Sequence, residues 1–139
     1  MENEYIIEGN KLIAEFEGWK EPSLEYKLKW CGVPNEEKLN KLNKEYIPYL
    51  VHSEKSEPFF IDSLQYEMSW DWLIPIIDKI RNTPKVIAFE ISFSLGVIVK
   101  TYYNDKWHFY ESNDIIEAPY VAIIDYIKWY NNEQINNNR

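Results

Sequence analysis

The stretch Ser69 to Arg81, SWDWLIPIIDKIR, constrains the fold of this chain more than any other. Trp70, Leu73, Ile74, Ile77 and Ile80 recur at steps of three and four residues and fall on one stripe roughly a hundred degrees wide, which predicts a helix with one buried face. Ser69 suits the N-cap, because its hydroxyl can accept from the free N–H groups of the first turn, and Asp71 suits the positive end of the helix dipole. Pro75 removes one backbone donor and crowds the carbonyl four residues back, so a kink is expected there. A helix this apolar needs a layer to pack on.

The residues that follow supply that layer. Val86 to Ser94, VIAFEISFS, alternates so that Ile87, Phe89, Ile91 and Phe93 share a face. Gly96 permits a reversal, VIVKTYY runs to Tyr103, and WHFYE returns after a turn, which predicts a three-stranded antiparallel meander. With a three-residue loop at Asn104 to Lys106, Tyr103 opposes Trp107. Val99, Thr101, Tyr103, Trp107 and Phe109 then take the face toward the helices, and Lys100, Tyr102, His108 and Tyr110 take the other. A two-residue loop would slip the register and exchange the faces of the last strand. Beyond Ser112 to Glu117 a closing helix is expected, with Pro119 in its first turn and Tyr120, Ile123, Ile124, Ile127 and Tyr130 as its stripe.

Toward the N-terminus, Asn10 as N-cap and Gly18 just past the end bracket a short helix with Ile13 and Phe16 inward and Trp19 packing beyond it. Leu24 to Trp30, LEYKLKW, alternates and reads as a half-buried strand. Asn35 caps a peripheral helix over EEKLNKLNKEY with a Glu37–Lys41 pair, and FFIDSLQY, Phe59 to Tyr66, reads as one more strand. The expected architecture is α+β in a single domain over residues 1–131, an antiparallel sheet layered with amphipathic helices. Residues 132–139 form a polar tail, disordered at its end.

Three segments in this order, NKLIAEFEGW (Asn10 to Trp19), SWDWLIPIIDKI (Ser69 to Ile80) and IEAPYVAIIDYIKWYN (Ile116 to Asn131), resemble short phage and prophage proteins of the phage ABA sandwich domain type. The resemblance implies an α/β/α sandwich and an origin in a mobile element. It carries over no functional residues, and Leu24 to Pro58 departs from it by its length and an additional helix.

Charge and composition narrow the function. Fifteen Lys and Arg against 23 Asp and Glu give a net charge of −8, and phosphate backbones demand clustered positive charge, so nucleic acid is not the expected partner. Residues 1–25 hold seven Glu and two Lys, a distribution that would suit a basic partner. The single cysteine, Cys31, excludes an intramolecular disulfide, and the isolated His52 and His108 offer no metal-ligand spacing, so neither metal nor cofactor is expected. The opening MENEYIIEGNK lacks a signal-type apolar core and no apolar run reaches the roughly 20 residues of a membrane span, which points to a cytoplasmic protein.

Candidate chemistry is thin. Cys31 has no His or Asp near it in sequence and reads as an inert thiol, and His52 as a solvated loop residue. Trp70 and Trp72 read as a core anchor and a rim residue. Glu90 could approach Lys100 or His108 across the meander, but those groups lack a nucleophile or metal to serve. Binding is therefore expected rather than catalysis. The expected role is that of a phage accessory protein that engages a protein partner, such as a host defence protein, through Lys100, Tyr102, His108 and Tyr110. An acidic immunity-type protein against a basic toxin is the alternative in the same class. A small-molecule enzyme or nucleotide binder is the alternative outside it, and would require a concave pocket.

Overall fold

A computed structural model describes residues 1–53, 55–86 and 88–137. The chain divides into two compact units, Met1–Gln65 and Tyr66–Arg139.

The first unit is built on α1 (Asn3–Phe16), which starts well before Asn10. Asn10 is thus not a cap. It sits buried in mid-helix beside Gly9, and its side-chain amide donates to the carbonyl of Leu64 at 3.3 Å. The C-terminal end follows the expectation: Gly18 takes φ +105°, Trp19 N–H bonds the carbonyl of Ala14 and Gly18 N–H that of Glu15, so two orphan carbonyls are satisfied. Trp19 then packs on Phe59 with ring centroids 4.3 Å apart.

Leu24–Cys31 is a helix, α2, and not the strand its alternation suggested. Ser23 Oγ accepts from Tyr26 N–H at 3.2 Å, Glu25 and Lys29 complement the two ends of the dipole, and Gly32 closes the helix at φ +68°. No residue of α2 is buried, so the period-two pattern had no core face to serve, and local capping decided the outcome. Asn35 caps as expected, its side chain accepting from Lys38 N–H, but α3 spans only Glu36–Leu39. Glu37 and Lys41 pair at 3.8 Å. Phe59 to Tyr66 is likewise not a strand: Phe59 makes one isolated bridge with Leu50, and Ile61–Ser63 is a single 3-10 turn.

The second unit opens with α4 (Trp70–Arg81), unbroken through Pro75. Ser69 caps it through its backbone alone, its carbonyl accepting from Leu73 N–H at 3.1 Å, with no side-chain bond. Leu73, Ile76 and Ile80 are the buried positions, whereas Ile74, placed on the stripe by sequence, is 56% exposed. The buried face is therefore rotated from the expected one. Three antiparallel strands follow, β1 (Ala88–Phe93), β2 (Val97–Tyr103) and β3 (Lys106–Ser112), in the order β1-β2-β3. Ile87 lies outside the described residues. The β1–β2 reversal needs Gly96, because a Cβ there would collide with the backbone carbonyl oxygen of Ser112.

Helix α5 (Glu117–Asn137) closes the fold and continues through Asn137, into the stretch read as a tail. Asp114 Oδ1 accepts from the N–H groups of Ile116 and Glu117, and Ser112 Oγ from that of Ala118, so the loop side chains satisfy the helix start. Ala118 and Ala122 press on Val97 and Val99, and the expected Tyr120, Ile123, Ile124 and Ile127 are all buried. Tyr126 bonds Thr83 at 2.8 Å just after α4. The whole is an α+β fold with helices packed on a three-stranded antiparallel sheet.

The α4 face can be checked by truncation. Ile76→Ala should cost about 2 to 5 kcal/mol in denaturant titration, and Ile74→Ala less than about 1 kcal/mol. Equal losses would mean that Ile74 is core.

Candidate functional site

The geometry of the sheet is set by the β2–β3 turn. Asn104 and Asp105 adopt φ of 55° and 60°, so the connection is a two-residue turn with both central residues left-handed, a conformation that Asn and Asp tolerate better than other side chains. Tyr103 therefore opposes Lys106, Tyr102 opposes Trp107, Thr101 opposes His108, Lys100 opposes Phe109 and Val99 opposes Tyr110. This is the slipped register, and it exchanges the faces of β3.

Of the four residues expected to form one patch, Lys100 and Tyr102 lie on the outer face, whereas His108 and Tyr110 lie on the inner face with Val97, Val99 and Tyr103. His108 stacks on Tyr103 at 4.1 Å between ring centroids, its Nε2 3.3 Å from the Tyr103 carbonyl oxygen. Tyr110 packs on the Val97–Ala118 cluster and hydrogen-bonds Tyr103 and Asp125. Burial, then the neighbouring Tyr103 and Asp125, holds its phenol far above the usual tyrosine range. Glu90 stands opposite Lys100 but on the other face from His108, so these three do not converge.

Trp107 and Phe109, read as core in the sequence, take the vacated outer positions. Trp107 is 45% and Phe109 65% exposed, with Ile98 beside them. The rings of Tyr102 and Trp107 meet edge to face at 5.2 Å, and the Lys100 ammonium lies 6.0 Å from the centroid of Phe109. The outer face thus presents three aromatic rings and an aliphatic side chain around one cation, with Glu90 and Glu111 toward its margins. Aromatic side chains of this kind offer large contact area at low entropy cost, which suits recognition of another protein surface. Asn104–Asp105 was the signal that could have assigned Trp107 and Phe109 to this face from sequence.

The remaining candidates are placed without convergence. Cys31 sits near the Tyr46 carbonyl at 3.8 Å, and burial pushes its thiol up, away from reactivity. His52 is exposed and meets Trp19 edge-on at 5.6 Å. Trp70 and Trp72 are both half-buried, Trp72 against Tyr66 at 5.0 Å. In the first unit an open cleft of about 600 Å³ runs between α2 and residues 55–57, where Tyr26 and Trp30 stack at 6.2 Å and the charges of Lys29, Lys55, Glu25 and Glu57 offset one another. Among the described residues no group of three or more His, Cys, Asp or Glu is placed to hold a metal, and no helix is long and apolar enough to cross a membrane. Compared with known protein families, with curated proteins and with solved structures, the chain matches none.

Two measurements probe this arrangement. Thr101 Oγ1 is buried on the inner face with no hydrogen-bond partner among the described residues, so Thr101→Val should raise stability by about 1 kcal/mol or more. A loss would show that the hydroxyl is satisfied in solution. In the first unit, burial, followed by the charges of Glu8, Glu15 and Glu21, pushes the Tyr49 phenol from 10 up to about 12. The folded state therefore holds this proton more tightly than the unfolded chain. Its contribution is intact below pH 10 and is lost as pH rises toward 12, and Tyr49→Phe should flatten the fall in melting temperature across that window.

Proposed function

We propose that this chain acts by binding another protein through the outer face of the meander. The observation that carries the reading is the contiguous exposure of Ile98, Trp107 and Phe109 beside Tyr102 and Lys100 on a face that no helix of the second unit covers. Isolated apolar side chains on a surface are ordinary, but a grouped aromatic patch is not, and its polar margin matches the layout of a recognition surface. The open clefts support small-molecule chemistry less well: among the described residues, the cleft beside α2 and the groove between α4 and β1 bring no nucleophile, base and hydrogen-bonded partner together.

The partner we favour has a basic surface. A net charge of −8, with seven Glu among residues 1–25, raises the encounter rate with such a surface even where the patch itself is nearly neutral. This agrees with the resemblance to phage ABA sandwich proteins, under which the chain would be a phage or prophage accessory protein that occupies a host protein. A toxin-neutralising role uses the same physics and the same face.

The test is a comparison of the wild-type chain with the double variant Trp107→Ser/Phe109→Ser, both tagged, against a lysate of cells that encode it. A protein retained by the wild type and lost by the variant, at unchanged melting temperature and with retention that weakens as salt rises, is the expected result. Equal retention by both chains would remove the outer face from the reading, and salt-independent retention would remove the basic partner.

A further inference from the structure

We propose that the free edge of β1 is a self-association surface, where a second copy of this chain pairs antiparallel with the first about a two-fold axis at Ile91. Strand β1 is the end of the sheet, and among the described residues nothing pairs with its far side. Ser94 N–H bonds the Gly96 carbonyl, which places the even-numbered residues in the hydrogen-bonded pairs with β2. By the alternation of an antiparallel ladder, the N–H and C=O groups of Phe89, Ile91 and Phe93 point outward. The strand AFEISF contains no Lys, no Pro and no bulge, the usual devices that keep an edge single.

Beside this edge runs a largely apolar groove of about 520 Å³ between α4 and β1, lined by Trp70, Ile74, Ile77, Ile91, Phe93 and Ile115 together with the charged Asp78 and Arg81. Ile74 is 56%, Phe93 62% and Ile115 54% exposed. Of the α4 stripe that the sequence assigned to the core, Leu73 and Ile80 are buried, Trp70 and Ile77 are half-buried and Ile74 is left exposed on the groove.

A second copy fits because the surface is complementary to itself. With Ile91 opposite its symmetry mate, Phe89 meets Phe93 on the inner face and Glu90 meets Ser92 on the outer face, so no like charges are opposed. Helix α4 lies along β1 with Trp70 near Phe93, at 6.1 Å between ring centroids, and Arg81 toward Ala88 to Glu90. The same axis lays the two α4 helices antiparallel. Ile74 and Ile77 of both copies then meet near the axis, and Asp71 of each copy comes toward Arg81 of the other. Both charges are exposed in the single chain, and antiparallel helix dipoles add to the match.

The test is the mass of the full chain by sedimentation equilibrium, with two charge variants. The wild type should dimerise with rising concentration and stop at two, because a two-fold interface closes. Asp71→Arg and Arg81→Asp should each weaken that dimer roughly tenfold, since each makes both symmetry-related pairs repulsive. Mixed in equal amounts, the two variants should dimerise again, because one copy then carries arginine at both positions and the other aspartate at both, so that each symmetry-related pair is attractive. A wild type that stays monomeric, a mass that grows without limit, or a mixture no heavier than its components would each overturn the proposal.

Discussion

Two residues in left-handed backbone, Asn104 and Asp105, hold the register on which the second unit depends. The turn joins β2 to β3 with a twist that suits the strands, and because side chains alternate with period two, its length decides which half of β3 meets the helices. Tyr110 and His108 go inward, where a hydroxyl and a ring nitrogen find partners in Tyr103 and Asp125. Trp107 and Phe109 go outward. One more residue in the loop would bury two large apolar rings and expose two polar ones, so this turn trades apolar burial for polar satisfaction on the inner face.

Packing of α5 on that inner face then rests on small side chains. Ala118 and Ala122 let the helix approach Val97 and Val99 closely, while the larger Tyr120, Ile123, Ile124 and Ile127 are buried on the rest of its circumference. A helix so widely covered over its first three turns cannot be displaced without exposing most of the unit's core. The outer face of the sheet receives no such cover from α4 or α5. That asymmetry leaves exposed aromatic side chains where a two-faced sheet would have hidden them, on the face that we propose as a recognition surface.

The first unit is held differently. Among its described residues pairing is limited to isolated bridges, and its order comes from caps and a few long-range bonds: Ser23 on Tyr26, Asn35 on Lys38, the Gly18 closure, the paired bonds of Lys20 with Val51, and the amide of Asn10 on Leu64. Each is worth about 0.5 to 2 kcal/mol, and each depends on one side chain or one backbone angle. Loss of Asn10 would leave a buried carbonyl short of a donor in mid-fold.

Local chemistry, which sequence reports directly, determined the α+β class, the helix over residues 70–81, the meander, the glycine closure at Gly18, the Asn35 cap and the burial of Ile123, Ile124 and Ile127. Alternation misled at Leu24 to Cys31 because a period-two pattern means a strand only when one face is buried, and none is. Ile74 against Ile76 could not be settled from periodicity, since both are isoleucine within one turn and only tertiary packing says which is buried. His108 and Tyr110 against Trp107 and Phe109 turned on a single residue of loop length. Asn10 looked like a cap because asparagine caps helices, and only the distant carbonyl of Leu64 made it a buried donor. Sequence determined what each segment could form; tertiary contact decided which side of it faced in, because burial is a property of neighbours that lie far away along the chain.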